Sequence, residues 1–255
     1  MPGVWSTNYW IILLIIFLRY AVLSLVAYLM YYVIFRNRWA FRKIQIRFPQ
    51  GSDYRREFLY SVFTAFIFAG VGYSLFGTGL RNYTQLYLNV ADYGWVYFGL
   101  SIPLMLIIHD TYFYWTHRAM HHPSVFRWFH KVHHLSTNPS PWASFAFHPL
   151  EAIVEAGIIV VIALIMPVHP LAIGLFLLIM MVYNVYGHLG YEVYPKGFSR
   201  SWLGRWINTS VNHNQHHQFF KGNYGLYFLW WDRWMGTLRS DYDRQFDDVK
   251  SRVAA

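Results

Sequence analysis

Residues 9–35 read YWIILLIIFLRYAVLSLVAYLMYYVIF, an apolar run in which Arg19 is the only charge. At about 1.5 Å per residue, such a helix outruns the ~30 Å hydrocarbon core of a bilayer even when tilted. A cleaved leader needs a basic start and a shorter apolar stretch, so this run is expected to be a retained span. Comparable runs occupy 58–80, 93–115, 150–166 and 171–187. The last two form a hairpin around Pro167-Val168-His169-Pro170, where proline ends one helix and opens the next. The sequence therefore predicts an all-α integral membrane helical bundle of four to five spans, with 1–255 as a single membrane domain. Segments 116–149 and 188–240 are expected to form a histidine-rich helical cap, and 241–255 a solvated acidic tail.

Composition agrees. Of 255 residues, 56% are hydrophobic and 13% charged, against about 25% charged in soluble domains. There is no cysteine, which excludes disulfide scaffolds, thiolate zinc sites, cysteine-held iron–sulfur clusters and cysteine nucleophiles. Any metal must sit on nitrogen and oxygen. The net charge of +9 is read as a basic face beside anionic lipid, with no nucleic-acid partner. With the N-terminus outside, segments 36–57, 116–149 and 188–255 hold 19 of the 21 lysines and arginines. The positive-inside rule then places every histidine-rich segment on the cytoplasmic side, of a bacterial inner membrane or the endoplasmic reticulum.

The 13 histidines are about twice the usual share and are clustered. At the inner end of the third run, His117 and His121 stand four apart, on one face if the helix continues. His130-Lys131-Val132-His133-His134 and His213-Asn214-Gln215-His216-His217 share the form His-x2-His-His. Chance produces such a triplet about 0.03 times per chain of this composition. On a helix, positions i, i+3 and i+4 share a face, so each triplet is expected to present three imidazoles to one small volume. Eight imidazoles exceed what one ion can use, so two metals are implied. Imidazole suits zinc, copper, iron and nickel alike. Hydrolytic metal pairs usually bring bridging carboxylates, which these clusters lack, and an oxygen-activating iron pair fits a lipid-embedded site better. A zinc-dependent membrane hydrolase and a non-catalytic metal-binding membrane protein are the alternatives, and zinc is possible in purified protein.

His188, ending the fifth run, is a further candidate ligand, with Glu192 four residues on as its orienting carboxylate or as a ligand. Asp110 and Asp232 are candidate acceptors for ligand N–H groups. His148 is read as a supporting residue or as part of the helix start, and His109, two turns into the membrane from His117, as a substrate-channel residue. His122 points away from the ligand face and His169 lies in the outer turn, so neither is assigned a site role.

These residues resemble the fatty acid hydroxylase and sterol desaturase superfamily of membrane di-iron oxidoreductases. The resemblance runs from His109-Asp110 to Gly236-Thr237. It is carried by Tyr114-Trp115-x-His117-Arg118-x-x-His121-His122-Pro123, His130-Lys131-x-His133-His134, and Ala143-Ser144-x-Ala146-Phe147-His148-Pro149-Leu150-Glu151. It closes with His213-x-x-His216-His217, Asn223-Tyr224-Gly225 and Trp231-Asp232-Arg233-x-x-Gly236-Thr237. His-His-Pro and Ala-Phe-His-Pro are most similar to the sterol desaturase branch. The resemblance implies two iron ions on His117, His121, His130, His133, His134, His213, His216 and His217, with His188 where the family places a further histidine. It also implies O2 as cosubstrate, a lipid substrate, and electrons from a separate haem or iron–sulfur carrier.

Overall fold

The computed structural model describes residues 8–252, and among them no strand longer than an isolated bridge forms. The first helix, α1 (Tyr9–Tyr28), starts at Asn8, whose side chain accepts the Trp10 N–H, and runs on as a π-turn through Ile34. Then come α2 (Gly51–Gly77), α3 (Gly94–Met120), α4 (Pro123–Phe129), α5 (Lys131–His134), α6 (Pro149–Ile165), α7 (Pro170–Gly187), α8 (Ser210–Phe219), α9 (Trp230–Trp234) and α10 (Tyr242–Ser251). Four of these segments, Tyr9–Ile34, Gly51–Gly77, Gly94–Met120 and Pro170–Gly187, are long and apolar enough to cross a membrane. The protein is a multi-pass membrane protein. Its α6 is shorter, at 17 residues, and packs on α2 and α3 before the chain turns into α7 at Pro170. The second span begins at Gly51 rather than 58, because Gln50 and Asp53 close a capping box there. The third runs on to Met120, which carries His117 on its last turn.

Helix α1 packs on α2 and α7, α2 on α6, and α3 on α7. Leu14, Ile15, Leu18 and Val22 face outward on α1, as a lipid-facing wall does. Between the spans, segment 135–148, with a short 3-10 helix over Pro141–Phe145, dips into the bundle. Side chains satisfy its carbonyls: Tyr20 Oη and Ser61 Oγ both donate to Trp142 O at 3.0 Å, and Ser24 Oγ to Pro141 O at 3.1 Å. Glu57 accepts from Ser140 Oγ in a buried contact. Carbonyls that so short a helix leaves open are buried here only because protein groups supply such partners.

The tail is not a solvated terminus. Tyr242, Phe246 and Val249 recur at helical spacing in α10 and pack on Ile44, Val211 and Leu229 of the cap. The acids that dominate its composition occupy the opposite face. Residues 253–255 of the expected tail lie outside the described residues.

Candidate metal centre

All nine histidines expected as ligands converge in two groups. His117, His121, His130, His134 and His216 form one, and His133, His188, His213 and His217 the other, with the nitrogens of each group within 4.8 Å of one another. The groups abut, with the rings of His134 and His217 4.9 Å apart.

Each triplet is divided rather than pooled. His130 and His134, four apart across α5, enter the first group, and His133 enters the second. On α8, His213 and His217 enter the second group, and His216 the first. Consecutive helical residues differ by about 100°, so the i+3 and i+4 side chains diverge enough to reach separate centres.

Backbone carbonyls fix the tautomers. His117 Nδ1–H donates to Tyr224 O at 2.9 Å, His216 to Gly222 O at 2.8 Å, His217 to Ser136 O at 2.9 Å and His188 to Asn184 O at 2.8 Å. His130 Nδ1–H donates to Glu151 Oε1 at 2.6 Å. The Nε2 atoms of these five rings are therefore bare lone pairs. They point at one another or at further imidazoles: His117 and His130 Nε2 are 2.9 Å apart, His134 and His216 3.0 Å, and His188 and His217 3.1 Å. Facing lone pairs repel unless a cation lies between them, so the donor set fits two metal ions. Burial and neighbouring imidazoles hold His130, His133, His134, His213, His216 and His217 well below the ordinary histidine range, and burial lowers His188 to about 4. That keeps the rings neutral, the form that ligates.

The sequence profile of the fatty acid hydroxylase family matches residues 102–237, more than half of the chain and all nine histidines. The chain belongs to that family. It is 36% identical over 169 residues to lathosterol oxidase of Mus musculus, covering 65% of this chain and 54% of that one. It is 33% identical over 161 residues to the Delta(7)-sterol 5(6)-desaturase ERG3B of Gibberella zeae, covering 63% and 48%. The chain thus spans about half the length of the curated relatives it matches. No solved structure matches it.

The supporting residues decide how the histidines are held, and here the expectations need correction. Asp110 and Asp232 do not touch a ligand. Asp110 Oδ1 accepts the Tyr227 and Phe228 N–H groups at 2.7 and 3.2 Å. Asp232 accepts from Tyr224 N, Gly225 N and Thr237 Oγ1 at 2.9, 2.8 and 2.7 Å. Both carboxylates clamp the loop whose Gly222 and Tyr224 carbonyls orient His216 and His117. Asn223, in the left-handed region at φ 58, secures the same loop to Asn212 O and Gln215 Oε1. Glu192 likewise does not meet His188. Its Oε2 accepts from Val211 N at 3.1 Å and ties down the first turn of α8, which carries His213. Of the two readings of His148, the helix start holds: it is the N-cap of α6, accepting from Leu150 N.

Sequence reasoning missed Glu151 as the partner of His130. An acid two residues inside an apolar run was the available signal, but only the fold shows which imidazole it meets.

A cavity of about 400 Å³ opens between the spans, walled mostly by apolar side chains. His109 lines it, its Nδ1 2.9 Å from Tyr227 Oη. The cavity reaches the centre through Phe113, whose ring is 4.8 Å from that of His117, and Phe147, 5.1 Å from His133.

Proposed function

We propose that this protein is a membrane-bound, non-haem di-iron oxidoreductase that uses O2 and electrons from a separate redox protein to desaturate or hydroxylate a C–H bond of a sterol- or fatty-acyl-type lipid. The observation that carries the reading is the pair of abutting imidazole groups at the inner end of an apolar cavity between the spans. Bound iron would supply the O2 activation that an unactivated C–H bond demands and that no side chain can provide.

The chain's own residues supply position and dryness. The nine histidines would hold the metals, and Glu151 with four backbone carbonyls fixes five of the rings so that binding would cost little reorganisation. Phe113 and Phe147 separate the imidazoles from the cavity and would direct an apolar chain along them. His109 is assigned to the substrate channel. The basic connections support a cytoplasmic position for this assembly, where a soluble or membrane-tethered carrier would reach it. The names of the sterol desaturase relatives favour a sterol-type substrate.

The test is elemental analysis of protein purified in detergent, beside a His133→Ala/His216→Ala double variant, followed by a lipid-product screen under labelled oxygen. Close to two irons per chain, falling to at most one weakly held ion in the variant, with label or a new double bond in a lipid, is the expected result. Zinc that iron cannot replace, or turnover without O2, overturns it.

A further inference from the structure

The cavity is graded from end to end. On α7 its lining runs from Pro170, at the outer turn, to Asn184, whose carbonyl holds His188. These fourteen steps make it about 21 Å long. Ile12, Phe76, Pro170 and Ile173 make its outer part wholly apolar. The polar side chains in the lining, Arg19, His109, Glu155 and Asn184, lie toward the histidine end. Tyr20, next to Arg19, stacks at 5.3 Å on Phe145, a lining residue beside Phe147. Glu155 is one turn beyond Glu151, the partner of His130.

Two of the four polar groups are already occupied. His109 faces Tyr227 Oη, and Asn184 Nδ2 donates to Ser144 O at 2.8 Å. Arg19 is different. Its Nε is buried without an acceptor, and among the described residues its guanidinium makes no hydrogen bond or ion pair. Glu155 lines the same cavity but does not neutralise it, since no ion pair joins the two among the described residues. A guanidinium unpaired within a bilayer is costly and marks a site by default.

We propose that Arg19 binds the oxygen-bearing end of an elongated lipid in this cavity, so that the polar end lies beside the histidine centre and the apolar tail points to the outer leaflet. Guanidinium is a donor only, so the ligand group it takes is an oxygen acceptor, either the hydroxyl of a sterol alcohol or the carboxylate of a fatty acid. The inference rests on the lipid-oxidation reading for the fate of the bound lipid, but binding itself needs no metal.

The experiment uses metal-free full-length protein in nanodiscs, titrated with dehydroergosterol as the alcohol and cis-parinaric acid as the carboxylate. One probe is expected to bind, with affinity falling at least about tenfold in Arg19→Met and recovering in Arg19→Lys. Arg19→Leu, which likewise has no donor, gives the same comparison if the methionine variant does not reconstitute. Equal binding by wild type and the neutral variants overturns the proposal, as does failure of both probes to bind the wild type. Arg19-dependent binding in a protein that oxidises no lipid leaves this inference standing and removes the oxidation reading. Oxidation with Arg19-independent binding does the reverse.

Discussion

Glu151 Oε1 lies 2.6 Å from His130 Nδ1, with both side chains sealed from solvent. The two residues come from α6 and the α4–α5 junction, so this contact ties the cap to α6 at the candidate metal centre. It also fixes which nitrogen of His130 is left to ligate. Glu151→Ala leaves a buried N–H without an acceptor and frees the ring to turn. Metal affinity should fall about 10–100-fold, the usual loss for such an orienting partner. Glu151→Gln retains an acceptor oxygen and should lose much less. Chelator competition on the purified variants measures both, and unchanged affinity in the alanine variant contradicts the assignment.

Legibility in the sequence depends on how far along the chain the cause of a feature lies. The spans are written in contiguous hydropathy, and the nine histidines in their own identity and spacing. The division of each triplet is not. Whether His133 turns with or away from His134 is decided by where α7 and α8 pass, elements that begin dozens of residues later. The carboxylates failed for the same reason. Asp110 clamps Tyr227 N–H, 117 residues away, and local sequence pairs it with the histidines simply because they are near. In the tail, counting acids obscured Tyr242, Phe246 and Val249, which the helical period would have exposed.

Asp232→Asn tests the loop clamp. The carboxylate accepts from three donors, and an amide offers one oxygen and sets its NH2 against an N–H. A buried donor left unsatisfied costs about 1–3 kcal/mol. Thermal unfolding of the metal-free variant should fall accordingly, and metal affinity should weaken with it because the Tyr224 carbonyl that orients His117 is no longer held. Weakened metal binding without a change in unfolding would show that Asp232 acts otherwise.

Lys43 gives a pH dependence. It is 2% exposed, its Nζ lacks a hydrogen-bond partner, and burial lowers it to about 8 from an ordinary 10.5. The unfolded chain therefore binds more protons between those values, and stability should rise with pH from about 8 to 10.5, with the full penalty present below 8. That penalty is about 3 kcal/mol. The rings of Tyr32, Phe48 and Tyr191, 5.2–5.5 Å away, return about 0.5–2 kcal/mol to the cation. Lys43→Met should consequently raise the melting temperature at pH 7 by a few degrees and flatten the alkaline rise. A variant less stable than wild type at pH 7 would mean that the rings outweigh desolvation.

The division of the histidines predicts which metal each substitution removes. His130→Ala leaves four imidazoles in the five-member group and does not touch the other. His213→Ala leaves three in the four-member group, below the number a closed tetrahedral site uses. His213→Ala should therefore release about one of two metals outright, while His130→Ala should keep near-full content under saturating metal but release one ion first under chelator. Combining the two should leave no more than one weakly held ion. Elemental analysis after graded chelation tracks each step. If His213→Ala empties both groups together, the nine imidazoles act as one coupled cluster, and the two-centre geometry does not describe how they bind.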